Sequence, residues 1–198
     1  TVSPDDPSAK LGDPDWYDKL NDGKNWPIDE DSYSIGKISA GYLVMTGKKS
    51  NVPAWRLADT ASLTNAYLEA KFLTDSTSCK NGDSYGIFFR SPSLSAPDKG
   101  YLFGVTCDGR YFLWKWNGTA MTTIVDYTSS SAINTGTGQV NKLGVLTVSN
   151  QIQLYVNGVI LQQVNDSTYT KGYFGIFSRP STSTYFTVKL DEMKYWID

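Results

Sequence analysis

From Tyr33 to the C-terminus the chain is a succession of short alternating apolar and polar runs, and no segment shows a helical stripe. The connections carry turn chemistry: Cys107-Asp-Gly-Arg110, Asn117-Gly118, Ser149-Asn150 and Asn157-Gly158. Asp-Gly and Asn-Gly between alternating runs are the strongest short-range hairpin signals, because both central residues of the tight turn need positive φ. The pattern predicts strands over 33–37, 40–46, 53–58, 64–74, 83–91, 99–107, 110–117 and 121–127. A later set follows over 142–149, 151–157, 159–164, 171–179 and 184–196, with hairpins across 101–116 and 152–164. So many short strands imply an all-β fold, either a two-layer sandwich or a barrel. The polar stretch 128–141 reads as a surface loop within one domain spanning 33–198. Residues 1–32, rich in Asp, Pro and Asn, read as an irregular N-terminal arm packed on that domain and anchored by Trp16, Tyr17 and Trp26.

At 198 residues with 40% hydrophobic content, the chain can bury one sizeable core. A net charge of −2 argues against a nucleic-acid footprint, and no apolar run is long enough for membrane insertion. The chain begins at Thr1 rather than Met, as expected of a mature form or an excised domain. It contains no histidine, which excludes Ser-His-Asp and Cys-His nucleophilic sites and the usual zinc sites. The two cysteines, Cys79 and Cys107, lie in or beside two runs that a hairpin could bring together. A disulfide is expected if the protein is secreted, and two unrelated buried thiols if it is cytosolic. Asn117-Gly118-Thr119 and Asn165-Asp166-Ser167 are sequons that mark surface turns. Asp18 to Asp29 loosely follows a calcium loop, but Leu20 stands at the third place and the closing Glu is missing.

One strand motif is written twice, as Tyr85-Gly-Ile-Phe-Phe-Arg90 and Phe174-Gly-Ile-Phe-Ser-Arg179. Strand side chains alternate between faces, so each copy places Gly, Phe88 or Phe177, and Arg90 or Arg179 on one face. The opposite face carries Tyr85, Ile87 and Phe89 in one copy and Phe174, Ile176 and Ser178 in the other, a composition suited to a core. A glycine beside an exposed arginine leaves room for something to approach. Guanidinium groups make forked hydrogen bonds to sugar hydroxyls or carboxylates, but each arginine can equally pair with an aspartate under a loop. On the run 110–117, the Phe112/Trp114/Trp116 face is expected to be core, with a sugar platform as the alternative. Trp55, Arg56 and Tyr101 raise the same choice between packing and recognition.

The order of segments resembles the concanavalin A-like lectin/glucanase jelly roll, with laminin-G-like and 3-keto-disaccharide-hydrolase-type domains as the nearest kinds. The segments that carry the resemblance are Tyr67-Leu-Glu-Ala-Lys-Phe72, Asp83-Ser-Tyr-Gly-Ile-Phe-Phe-Arg90, Gly100-Tyr-Leu-Phe-Gly-Val, Leu154-Tyr-Val-Asn-Gly-Val-Ile160, Gly172-Tyr-Phe-Gly-Ile-Phe177 and Phe186 to Trp196. The resemblance covers about residues 33–197. It implies two stacked antiparallel sheets whose concave face binds saccharide, with Arg90 and Arg179 in the concave sheet. Such domains often carry calcium, so a structural calcium is allowed. No acidic cluster matches their motifs well enough to transfer ligands, and no cofactor is required.

Glucanases of this fold use a Glu-x-Asp-x-x-Glu strand, since retaining hydrolysis needs two carboxyl groups about 5–5.5 Å apart. The three glutamates here, Glu30, Glu69 and Glu192, do not form that motif. An aspartate-based site remains open at Asp83, Asp98, Asp108 and Asp126, which sit near strand ends, but turns ask for aspartate there and isolated acids favour the turn role. The sequence therefore reads as an extracellular or cell-surface lectin-like module that binds oligo- or polysaccharide and lacks catalytic residues. The expected ligand-binding residues are Arg90, Arg179, Phe88, Phe177, Tyr101, Trp55 and Arg56. The alternatives are a hydrolase with an unconventional carboxylate pair and an adhesion module that contacts protein.

Overall fold

The computed structural model describes residues 5–182 and 184–197. Its strands are β1 (Trp16–Asp18), β2 (Ser34–Ser39), β3 (Tyr42–Gly47), β4 (Ala54–Leu57), β5 (Ala66–Thr74), β6 (Ser84–Ser91) and β7 (Gly100–Thr106). They continue as β8 (Arg110–Trp116), β9 (Met121–Ser129), β10 (Val140–Val148), β11 (Gln151–Val156), β12 (Val159–Asn165), β13 (Tyr173–Arg179) and β14 (Phe186–Ile197). Every run predicted from alternation holds a strand. Two antiparallel sheets result: β12-β11-β10-β5-β14-β3-β2 with β1 on β14, and β4-β13-β6-β7-β8-β9. This is a two-sheet jelly-roll sandwich of concanavalin A-like type. Asn157 (φ +50°) and Gly158 (φ +80°) make the tight β11–β12 turn with both central residues at positive φ.

The core lies between the sheets. Tyr85, Ile87 and Phe89 of β6 and Phe174 and Ile176 of β13 face inward and pack with Phe72, Leu143 and Val188 of the opposing sheet. The strand β8 departs from expectation: Tyr111 and Leu113 enter this core, while Phe112, Trp114 and Trp116 stand on the outer face of the smaller sheet. Both faces of that run are apolar, so alternation alone cannot choose between them. Register chooses, because Leu113 pairs with the inward Phe103 and Phe112 pairs with Gly104. The outer face over Gly104 is filled by neighbouring rings: a Cβ there would lie 2.4 Å from Phe112 Cζ and 2.7 Å from Phe177 Cζ. Gly104→Ala must displace two fully buried phenyl rings, an overpacking cost of about 1–3 kcal/mol. A lowered denaturant midpoint with unchanged slope would register it; an unchanged midpoint would contradict this packing.

A second departure lies in β6. Ser91 pairs with Tyr173 and Phe88 with Gly175, so Phe89 and Arg90 together oppose Phe174. This is a bulge, and Arg90 takes the left-handed conformation at φ +55°. The extra residue breaks the alternation and turns Arg90 away from the face shared by Gly86 and Phe88.

The N-terminal arm is more regular than expected, since β1 joins the larger sheet. Trp16 stacks on Tyr195 (centroids 5.7 Å apart) and meets Phe174 edge-on. Trp26 is buried and donates Nε1–H to Asp18. Tyr17 instead points outward and donates its hydroxyl to Glu192. Asp6 and Glu69 both accept from Lys142, at 2.7 and 3.1 Å, and Trp196 Nε1 donates to Gly12 O. Cys79 and Cys107 are joined by a disulfide with Cα atoms 5.5 Å apart.

Asp166 follows β12 and ties the two sheets. Its Oδ1 accepts from Tyr101 Oη at 2.6 Å and its Oδ2 from Lys115 Nζ at 2.7 Å. Burial pushes this carboxyl up, but the Lys115, Thr168 and Tyr101 hydrogen bonds outweigh it and hold the group well below the usual carboxylate range. A depressed native pKa contributes stability above the unfolded-state value, near 3.9, and loses it as pH falls below that. Asp166→Asn should therefore cost about 2 kcal/mol at pH 7, and the gap to the wild type should narrow between pH 4 and pH 2. Thermal melts across that range test this, and a pH-independent gap would refute it.

Candidate functional site

The outer face of the smaller sheet carries a second apolar cluster. Phe88, Leu102, Phe112, Phe177 and Leu57 are buried, and half-buried Trp55, Trp114, Trp116, Met121 and Tyr127 pack against them. Trp55 on the edge strand β4 is held firmly. One ring face stacks on Phe88 (centroids 4.8 Å apart, planes 18° apart), and Nε1 donates to Pro97 O at 2.8 Å. A ring fixed by stacking and by a hydrogen bond loses little freedom when a ligand arrives.

Two depressions meet at Trp55. The first, about 600 Å³, runs from Trp55 past Pro97 and Asp98 to Trp116, Gly118 and Met121 at the β8–β9 hairpin. The second, about 620 Å³, lies against Trp26, Asp29, Leu57, Asp59 and Leu94. Asp31, Trp55, Arg56 and Pro97 line both. Together they form an open groove, with walls from the loop between β6 and β7 and from the arm, and with Trp55 as the ridge between the halves.

Arg56 lies in the groove floor, 7% exposed. Its Nη2 reaches Asp29 Oδ1 at 2.9 Å and its Nη1 reaches Asp31 Oδ2 at 3.1 Å. Its Nε has no hydrogen-bond partner among the described residues. Burial pushes the Asp31 carboxyl up, but the backbone N–H groups of Tyr33 and Ser34 and the Arg56 charge prevail and hold it below its ordinary value. Asp31 is thus ionised near neutral pH and carries no proton to donate.

The expected site residues divide. Trp55 and Arg56 line the groove, and Phe88 and Phe177 form the buried layer beneath the face without being exposed themselves. Arg179 stands on the same face outside the groove, its guanidinium 5.4 Å from the Trp114 ring centroid and bonded to Asn51 Oδ1 at 2.8 Å. Arg90 is elsewhere, 3% exposed, its guanidinium donating to the carbonyls of Tyr169 (3.1 Å), Thr64 (3.0 Å) and Ser149 (2.8 Å). It clamps loop ends of both sheets, and the bulge is the reason. Tyr101 is fully buried in the inter-sheet core, because its face of β7 also carries Phe103 and Val105. Trp116, Met121, Asp31 and Asp98 line the groove; Trp116 was foreshadowed as the minor reading of the 110–117 run and Asp98 as one of four aspartates at strand ends. No sequence pattern marks the others, since the groove unites segments more than eighty residues apart.

Among the described residues, no glutamate lines the groove. Glu30 pairs with Lys48, Glu69 with Lys142 and Glu192 with Lys194. Among the described residues, the carboxylates lining the groove are all aspartates. Asp83 accepts from the backbone N–H groups of Lys80 and Ser181, Asp108 pairs with Arg110, and Asp126 accepts from the Tyr127 N–H. Among the described residues, no group of three or more His, Cys, Asp or Glu is placed to hold a metal ion.

With the sandwich and its groove in view, the fold belongs with those of lectin-like and glucanase-like jelly rolls. A carbohydrate-binding module of Bacillus subtilis, CBM66, superposes with a TM-score of 0.66 at 16% identity, over 88% of this chain and 97% of that one. The catalytic domain of an endo-1,3-beta-glucanase (laminarinase) from Thermotoga petrophila superposes with a TM-score of 0.62 at 9% identity, over 94% and 98%. A Bacillus subtilis protein of unknown function with a galectin-like fold superposes with a TM-score of 0.64 at 11% identity, over 93% and 96%. No family model matches the sequence, and no curated protein matches it either. The likeness is one of fold.

Proposed function

We propose that this protein is a secreted carbohydrate-binding module that holds an oligo- or polysaccharide in the groove around Trp55 without cleaving it. The observation that carries the reading is the Trp55 ring, fixed on Phe88 and set at the junction of two depressions. A flat aromatic surface suits the apolar face of a pyranose, and the surrounding aspartates supply acceptors for hydroxyls. The fold is shared with a carbohydrate-binding module and with glycosidases, which makes sugars the first ligands to try. The disulfide accords with an oxidising compartment.

Hydrolysis finds less support in this groove. A retaining or inverting mechanism needs one carboxyl that keeps its proton near neutral pH. Asp29 and Asp31 are both drawn to Arg56, and Asp31 is held below its ordinary value. The test is a titration calorimetry screen over neutral polysaccharides such as β-glucan, xylan, mannan and fructan, with reducing ends assayed in parallel. Saturable binding without new reducing ends supports the proposal. Release of new ends, or no binding to any glycan, overturns it.

A further inference from the structure

The charge around the groove is lopsided. Asp29, Asp31, Asp59 and Asp98 line the two depressions against Lys24 and Arg56, a local balance of −2 (two cations less four carboxylates). Arg56 is already engaged by Asp29 and Asp31. Asp59 and Asp98 are exposed, one in each depression, and no side-chain partner bonds either of them among the described residues. Lys24 is paired with Asp22 at 3.7 Å, so its charge is partly offset. Two carboxylates without a side-chain partner among the described residues thus line the depressions that share Trp55, Asp98 in one and Asp59 in the other.

We propose that this groove selects polysaccharide chains bearing amino groups, with one sugar stacked on Trp55 and its neighbours in the two depressions, and rejects chains bearing carboxylates or sulfates. The proposal rests on the glycan-binding reading above and names the substrate class within it. A protonated 2-amino sugar presents an apolar ring face for Trp55 and an ammonium for Asp59 or Asp98. A uronate or sulfate ester would instead meet like charge in both depressions, which costs affinity and specifies against it.

The experiment uses the full chain and titration calorimetry at pH 5.5, where amino sugars are protonated, with hexamers of glucosamine, N-acetylglucosamine, glucose and galacturonate. The glucosamine hexamer should bind about fivefold tighter than either neutral hexamer, as expected for two exposed ion pairs. The galacturonate hexamer should bind more weakly than all three. Raising salt from 0.05 to 0.5 M should erase the preference, because exposed charges are screened. Asp59→Asn/Asp98→Asn should bring the amino and neutral hexamers to equal affinity, because an amide still bonds hydroxyls but carries no charge for the ammonium. Neutral hexamers binding as tightly as the amino hexamer, a preference that survives the double substitution, or galacturonate binding as well as glucosamine would overturn this inference and leave glycan binding standing. Failure of all four to bind, with the broader polysaccharide screen also negative, would overturn both.

Discussion

Arg90→Ala should be the most destabilising single substitution on the outer half of β6, by about 3–5 kcal/mol. The side chain is buried and satisfies three backbone carbonyls from separate segments: Thr64 before β5, Ser149 in the β10–β11 turn and Tyr169 before β13. Truncation removes a donor from all three in a site lined by Leu63, Leu68, Phe89 and Phe174, and only Thr64 O keeps another, the Thr147 hydroxyl at 3.4 Å. Each unsatisfied buried acceptor costs about 1–3 kcal/mol, and entering water recovers part of the sum. Arg90→Lys should recover little, since an ammonium cannot reproduce the fork that spans three acceptors. Equilibrium urea unfolding reads the effect. A loss below about 1 kcal/mol, or a full rescue by lysine, would show that the carbonyl clamp is not what holds these loops. Glycan affinity in any Arg90 variant that still folds should be near that of the parent, because the guanidinium lies on the opposite side of the sheet from Trp55.

Trp55→Ala should weaken polysaccharide binding by about 30- to 150-fold, corresponding to about 2–3 kcal/mol. The ring supplies the stacking surface and also separates the two depressions, so its loss removes the contact and merges the halves. Trp55→Phe should retain part of the affinity. It keeps an aromatic face over Phe88 but loses the Nε1–H bond to Pro97 O that orients the ring. Folding is checked separately by melting temperature and near-ultraviolet circular dichroism, since Trp55 also covers Phe88. A folded Trp55→Ala protein with parental affinity would move the site away from this groove. The Trp114 ring beneath Arg179 would then be the next surface to test.

These two residues show what alternation can and cannot reveal. The repeated Gly-x-Phe-x-Arg pattern correctly places Phe88 and Phe177 on a common face, and Ile87 and Ile176 on the other. It fails at Arg90 because one extra residue in the β6–β13 ladder inverts everything beyond it. Arg179 sits in the copy without the bulge and stays on the outer face. The run from Tyr111 to Trp116 fails differently. Hydrophobicity favours its Phe112/Trp114/Trp116 face over the Tyr111/Leu113/Lys115 face, yet pairing with β7 turns the second one inward.

Short alternating runs and Asn-Gly or Asp-Gly turns are local properties, so the strands, the hairpins and the all-β class can be read from the chain alone. The absence of histidine and of a glutamate motif likewise narrows the chemistry by counting. Which apolar face of β8 points inward, where β6 bulges, and that Trp55 meets Trp116 and Asp59 across one groove are consequences of sheet stacking and register. Those depend on contacts between residues remote in sequence, and a period of two is the same seen from either side of a strand.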